Sequence, residues 1–354
     1  KRGGHFRFGH PGGSTTDNLD PVFLTSEFTS NLFMTVYSHL AEIGPDNQLK
    51  PLLADAIEPN ATADEWVFDL KKGVEFHNGK TLDADDVIVS IERHRGEDSK
   101  SSVKSLAESI AEIKKDGKYR VIFKMNEGNA DFPISLTAPA FGILAQKDGN
   151  VDVSGNGTGA YALKHFDPGV KGEYERFANH FRDDVGFFDT CEVTVIHDAS
   201  TRSSALMSDE VDFIGGVDPK TADLLGGKSG VTILEQAGLQ HYLYCMDVRQ
   251  APYDNPDVRM ALKLAIDRED ILKKILRGHG TLGNDNPITS GYRYFAPDIP
   301  QRQYDPDQAK FHMKKSGVGD IEFELSATNG LYEGALDAAV LYSEHAKKAG
   351  INIK

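Results

Sequence analysis

Two cysteines in 354 residues, Cys191 and Cys245, are too few for a disulfide framework, so an ordinary hydrophobic core must hold this chain. Each lies in a strand-like string, CEVTVIH and HYLYCMDV. Small buried thiols filling a core are the simpler expectation, with pairing in an oxidising compartment left open. Runs of roughly 18 or more apolar residues are also missing, which leaves no candidate membrane span. Positive charge is in deficit: 39 Lys and Arg against 54 Asp and Glu give a formal charge of −15. A phosphate backbone would be repelled by that balance unless a basic patch compensated. The densest basic spots, Lys71-Lys72, Lys114-Lys115, Lys273-Lys274 and Lys347-Lys348, read as solvated faces of helices or strand ends, so no nucleic-acid partner is expected.

Catalytic motifs are missing too. The chain has no Gly-x-Ser-x-Gly elbow, no His-Glu-x-x-His and no paired-cysteine zinc spacing, and its 12 histidines form no i, i+4 pair. Asp83-Ala84-Asp85-Asp86 lacks the glycine and distal Glu of a calcium loop and fits a helix N-terminus instead. No catalytic residue, metal site or cofactor is expected. Two glycine-rich strings are false leads for nucleotides. After Gly155, Gly157 and Gly159 the segment Tyr161 to Phe166 alternates like a strand, where a dinucleotide loop must open a helix. Gly226-Gly227-Lys228-Ser229 lacks the first glycine of a P-loop, since position 222 is Ala222.

What the chain does contain is length and pattern. At 354 residues it exceeds one ordinary core and should form two or more domains. Trp66, Phe68 and Leu70 alternate with Val67, Asp69 and Lys71, the period of a half-buried strand. Gly73 and Asn78-Gly79 then break the run, and Asp83 stands as an N-cap with Asp86 three residues on. Val87, Ile88 and Ile91 share the next helical face. Phe28, Leu32, Val36 and Leu40 recur at four-residue spacing, and KYRVIFKM (118–125) reads as a strand. From residue 66 to 125 the expected order is strand, helix, helix, strand. From Cys191 to Glu235, strands at CEVTVIH, VDFI and VTILE alternate with helices near 200–208 and 218–225, which implies a parallel sheet with ligands beyond its carboxyl ends. HYLYCMDV reads as a further strand, followed by a helix with Asn255 as cap and Pro256 at its first position. A second helical run ends at Gly278, and a last helix spans 335–348 before Gly350.

The string WVFDLKKGVEFHNGKTLDADDVIVSIERH (66–94) resembles the signature of the family 5 extracytoplasmic solute-binding proteins of ABC importers, the peptide, nickel and opine binding group. Leu19-Asp20-Pro21, Gly157-Thr158-Gly159-Ala160-Tyr161 (with Ala160 where the family has Pro) and PYDNPDVRMALKLAIDR (252–268) are similar to further family motifs. The resemblance implies an α/β fold of the type II periplasmic-binding-protein kind, with two lobes around a ligand cleft and an extra small α+β subdomain. It assigns 1–46 to the first lobe, 47–154 to the inserted subdomain, 155–246 to the first lobe's parallel sheet and 247–354 to the start of the second lobe, with a C-terminal part missing. It implies that Phe23, Thr25, Glu27, Phe28, Gln240, His241, Tyr242, Asn284, Asp285 and Asn286 face the ligand; the alternatives are that Phe23 and Phe28 are core residues, that Tyr242 packs beneath the cleft, that His241 is a surface histidine and that Asn284 and Asn286 serve turns alone.

The function so implied is capture of a small ligand, a peptide or peptide-like solute first, by lobe closure and delivery to the ABC transporter permease subunits. Nickel chelates, opines, oligosaccharides and a chaperone or sensor role are the alternatives, with a peptide hydrolase behind them. The protein is expected to be a periplasmic monomer, its leader removed, not inserted in the membrane.

Overall fold

Strand β1 (His5–His10) runs between β12 (Thr190–Val195) and β13 (Phe213–Ile214), parallel to both. These strands and their neighbours β10 (Tyr161–Asp167) and β11 (Lys171–Arg176) make a sheet of order β10-β11-β12-β1-β13. The computed structural model describes residues 2–147, 149–235, 238, 240–292, 294–328, 332 and 334–354, and the chain divides into two compact units, Lys1–Gly216 and Val217–Lys354. The parallel expectation is met for β12, β1 and β13, with α5 (Ala199–Met207) as the crossover between β12 and β13. It fails for β10 and β11: β10 pairs antiparallel with β11, and β11 antiparallel with β12.

Helix α1 (Glu27–Val36) starts at Ser26, whose hydroxyl accepts from the Thr29 backbone N–H while the Thr29 hydroxyl accepts from the Ser26 N–H. Phe28, Leu32, Phe33 and Val36 are fully buried against β10 to β12, so the four-residue spacing correctly marks the inner face. The helix stops at Tyr37, and Leu40 instead joins the core of the next module.

That module follows a hairpin of β2 (Ala41–Ile43) and β3 (Leu49–Pro51). It is an antiparallel sheet of order β4-β5-β7-β6, made of β4 (Ala54–Pro59), β5 (Glu65–Leu70), β6 (Ile110–Lys115) and β7 (Arg120–Met125). Trp66, Phe68 and Leu70 point inward as their alternation requires, beneath α2 (Ala84–Glu92), α3 (Lys104–Ala107) and α4 (Phe132–Ser135). Asp83 caps α2 and the Asp83 N–H donates to Asp86 at 2.9 Å, the expected capping box. Asp86 is fully buried, held by Lys80 at 2.6 Å and by the Gln146 N–H at 2.6 Å, and burial raises its pKa.

Strand β6 was not expected. Its apolar residues Ile110 and Ile113 are three apart, which reads as helix. A register shift between Ile110 and Glu112 brings both opposite the inward residues Met125 and Phe123 of β7, so a bulge turns a helical spacing into one sheet face. A two-strand hairpin, β8 (Gln146–Lys147) and β9 (Asn150–Val151), closes this stretch.

The second unit contains α6 (Pro219–Gly226), α7 (Pro256–Leu264), α8 (Arg268–Lys274), α9 (Pro306–Ser316) and α10 (Ala335–Lys348), with β14 (Glu322–Phe323) parallel to β15 (Asn352–Ile353). Asn255 caps α7 as expected, accepting from the Asp257 N–H at 2.9 Å, and its amide also donates to Ser316 at the end of α9. Two expected strands do not form: 231–235 and 241–248 pair with no other segment among the described residues. Alternation supplies propensity, but a strand exists only in a ladder. The expectation of buried thiols fails with them, for Cys245 is exposed, Cys191 is half-buried on β12, and both are free.

Candidate ligand-binding edge

Because β12, β1 and β13 run parallel, their carboxyl ends lie along one edge of the sheet, where ligands of open α/β sheets bind. At the end of β1, the His10 ring folds back on Gly12, with Nδ1 2.9 Å from the Gly12 carbonyl, and burial lowers its pKa. At the ends of β12 and β13 a buried arginine, Arg202 of α5, donates to the carbonyls of Ile196, His197 and Gly216 at 2.7, 2.8 and 3.1 Å. This guanidinium ties the two strand ends together. Asp198 caps α5, and hydrogen bonds from Ser200 and Thr201 hold its carboxyl down to about 2.

The loop into α1 borders this edge. Glu27, in the first turn of α1, is exposed, and its carboxylate lies 3.9 Å from where a side chain on Gly12 would begin. Gly12 and the Glu27 carboxylate are therefore neighbours at the end of β1. Phe23, at the end of a 3-10 turn, is 47% exposed. Thr25 donates to Asp17 at 2.9 Å, and Asp17, itself buried, also accepts from the Ser14 N–H. Phe28 does not belong with them: it is fully buried and stacked on Phe166 at 6.0 Å, so it supports the edge from beneath and presents nothing to a ligand.

The remaining residues lie in the second unit. Gln240, His241 and Tyr242 are exposed and lie outside any helix or strand, and Tyr242 stacks on Tyr332 with ring centres 3.8 Å apart. Asn284 accepts from the Arg302 N–H at 2.8 Å and donates to the Pro300 carbonyl at 3.0 Å, and Asn286 accepts from the Ile288 N–H at 2.9 Å. Those asparagines brace their own loop. Asp285 between them has a left-handed backbone (φ 59°) and pairs with both Arg268 and Arg302, its side chain only 12% exposed. Its charge is engaged within the protein.

Reading strings in isolation missed His10, Gly12, Arg202 and Tyr332. The first three become visible once the carboxyl ends of the expected parallel strands are followed into their loops, whereas Tyr332 carries no local signal. Among the described residues no group of three or more His, Cys, Asp or Glu side chains could hold a metal ion, and no helix is long and apolar enough to cross a membrane.

Residues 48–354 match the family described as bacterial extracellular solute-binding proteins, family 5. The chain belongs to that family. The oligopeptide-binding protein AppA of Bacillus subtilis (strain 168) is 26% identical, over all of this chain and 69% of AppA. The dipeptide-binding protein of Escherichia coli (strain K12) is 25% identical over 85% of this chain and 62% of its own length. Among solved structures, that of AppA in complex with a nonapeptide gives a TM-score of 0.73 at 24% identity, covering 100% of this chain and 74% of AppA. HbpA2 from Haemophilus parasuis gives 0.84 at 20% identity, covering 99% of this chain and 75% of HbpA2. The chain thus spans 62 to 69% of these curated relatives and 74 to 75% of these solved chains, with the type II periplasmic-binding-protein fold. Members of family 5 are extracytoplasmic binding proteins, not enzymes, so the family agrees with what the missing catalytic motifs suggested.

Proposed function

We propose that this protein binds a peptide or peptide-like solute outside the cytoplasm and hands it to the permease subunits of an ABC importer. The observation that carries this reading is the exposed carboxylate of Glu27 beside Gly12, in the loop that follows β1, with the exposed ring of Phe23 in the same connection between β1 and α1. A carboxylate suits an amine or other cationic group, and an aromatic wall suits an apolar side chain. Thr25, Gln240, His241 and Tyr242 are the further contacts we propose, with Asn284, Asp285 and Asn286 shaping a loop. The names of AppA and of the Escherichia coli dipeptide-binding protein favour peptides over other solutes. Capture works by closure of two lobes, divided at 1–46, 47–154, 155–246 and 247–354 as the family motifs suggest. The protein acts as a monomer whose leader is removed on export.

Thermal denaturation in the presence of a defined peptide library tests the reading. Peptides that bind only the folded state raise the melting temperature with concentration and are recovered intact. No stabilisation by any peptide would argue against peptide binding. Cleaved peptides would argue for a hydrolase, and sedimentation as a dimer would remove the monomer.

A further inference from the structure

The two motifs most distinctive in the sequence, 66–94 and 157–161, meet at one histidine. The signature loop turns tightly at Asn78-Gly79, where the Gly79 N–H donates to the Phe76 carbonyl at 2.8 Å, and it presents His77 to the glycine loop. The His77 N–H donates to the Gly157 carbonyl at 2.8 Å. Its ring grips the same loop twice, with Nε2 2.9 Å from the Gly159 carbonyl and Nδ1 3.2 Å from the Gly157 N–H. A carbonyl can only accept and an amide N–H can only donate, so Nε2 carries the proton and Nδ1 is bare: the ring is neutral. Asn78 adds a bond, its N–H donating to the Asn156 side chain at 3.1 Å.

The glycine loop in turn caps α1. The Gly159 N–H donates to the Val36 carbonyl at 2.8 Å. A side chain on Gly157 would begin 2.0 Å from the Val36 carbonyl oxygen, and one on Gly159 would begin 2.2 Å from that of Thr35, so only glycine lets the backbone pass so close. An unbroken series of contacts therefore leads from the small antiparallel module through His77 and the glycine loop to the C-terminus of α1, whose first turn carries Glu27.

We propose that His77 is a positioning residue whose neutral ring holds the Gly157–Gly159 loop against the end of α1, and that acid releases this latch. A second proton on Nδ1 would face the Gly157 N–H donor to donor. Burial lowers the His77 pKa; the carbonyls of Gly159 and Gly155 offset part of that, and the nearby His180 opposes its charge. Phe177, edge-on at 5.0 Å, offers no charge. The acids that flank the two loops are engaged elsewhere: Glu75 accepts from Asn179 at 3.0 Å and Asp152 from Asn156 at 3.2 Å. From α1 the packed atoms are backbone carbonyls. The effect on ligand binding rests on the function proposed above, whereas the latch itself does not.

Amide exchange of the ligand-free protein tests it, read as protection factors so that the intrinsic pH dependence of exchange cancels. Opening the latch lets His77 take a proton, so Gly157 protection should fall as pH drops below about 6.5, by at most about tenfold per pH unit. His77→Gln, whose amide can accept and donate in the same places without titrating, should keep protection flat. His77→Phe should lose it at every pH. Core amides such as those of Phe68 and Phe123 report whether either variant still folds. If one does not, 15N-histidine spectra of the unaltered protein decide: His77 should be the Nε2–H tautomer at pH 7.5 and should titrate in step with the loss of protection. Protection in the unaltered protein that is flat from pH 7.5 to 5, or that falls equally in His77→Gln, would overturn the latch. An intact latch with no peptide bound would leave it standing and refute the functional reading alone.

Discussion

The two units bury their apolar residues in different ways. In Lys1–Gly216 two clusters, one under the β4-β5-β7-β6 sheet and one between α1 and the mixed β10-β11-β12-β1-β13 sheet, hold rings such as Phe28, Phe68, Phe76 and Phe123 with no exposure. In Val217–Lys354 one cluster built on α7, α9 and α10 serves, while Leu234, Leu243, Val248 and Tyr294 are each more than half exposed. Histidines in the two units sit in different settings. Burial pushes His39 and His94 of the first unit down to about 4. His279 of the second has its pKa raised by Glu235 first and by Asp223. The second unit also buries a histidine, His345 of α10, but there the ring has a carboxylate partner, Asp270 at 3.0 Å, which His39 and His94 lack.

The largest expected effect should separate the units by packing. Phe68→Ala removes a fully buried ring and should cost about 3–5 kcal/mol. Trp66, the one tryptophan, lies in the same cluster, so its fluorescence during urea unfolding reads the loss directly. A cost below about 1 kcal/mol would mean that this core is not close-packed.

Acid should divide them next. Neutral buried histidines with lowered pKa values give stability that is complete above about pH 6.5 and is lost as pH falls toward about 4, up to ~3 kcal/mol for each of His39 and His94. His279 works the other way, its contribution present below its ordinary pKa and fading as pH rises through the raised value. Between pH 7 and 5 the urea midpoint read by Trp66 should drop, and His39→Gln or His94→Gln, if folded, should flatten the drop. An unchanged midpoint would contradict the burial of both rings.

How much of this was legible depends on whether an element's partners are close in sequence. The capping box at Asp83 and Asp86 and the alternation of β5 each arise within a few residues, and each was readable. Ile110 and Ile113 needed the bulge opposite β7 before their spacing made sense. The strings 231–235 and 241–248 have strand propensity without a ladder, and nothing local reveals a missing partner. At the candidate edge residue type alone does not separate Phe28 from Phe23: Phe28 lies on the inward stripe of α1 with Leu32 and Val36 and is buried, whereas Phe23 ends the 3-10 turn before the helix and is exposed.

Smaller effects should be alike in both units. Asp83→Ala and Asn255→Ala each remove a helix cap and should cost about 1 kcal/mol, with Asn255 the greater because its amide also joins α7 to α9. A larger loss at Asp83 would reverse that order. On the outer sheet face Arg120 pairs with Asp69 at 2.6 Å, both side chains well exposed. Asp69→Asn should shift the urea midpoint by no more than about 0.5 kcal/mol, and less in high salt.

The central claim is that this protein holds a peptide-like solute without transforming it. The most direct measurement is equilibrium dialysis of the protein against a defined mixture of di- to nonapeptides, with mass spectrometry of what it retains before and after denaturation. The account predicts a retained subset of intact peptides, and a retained set altered in Glu27→Gln and in Phe23→Ala. Retention of none above the bulk mixture, or recovery of shortened products, would contradict it.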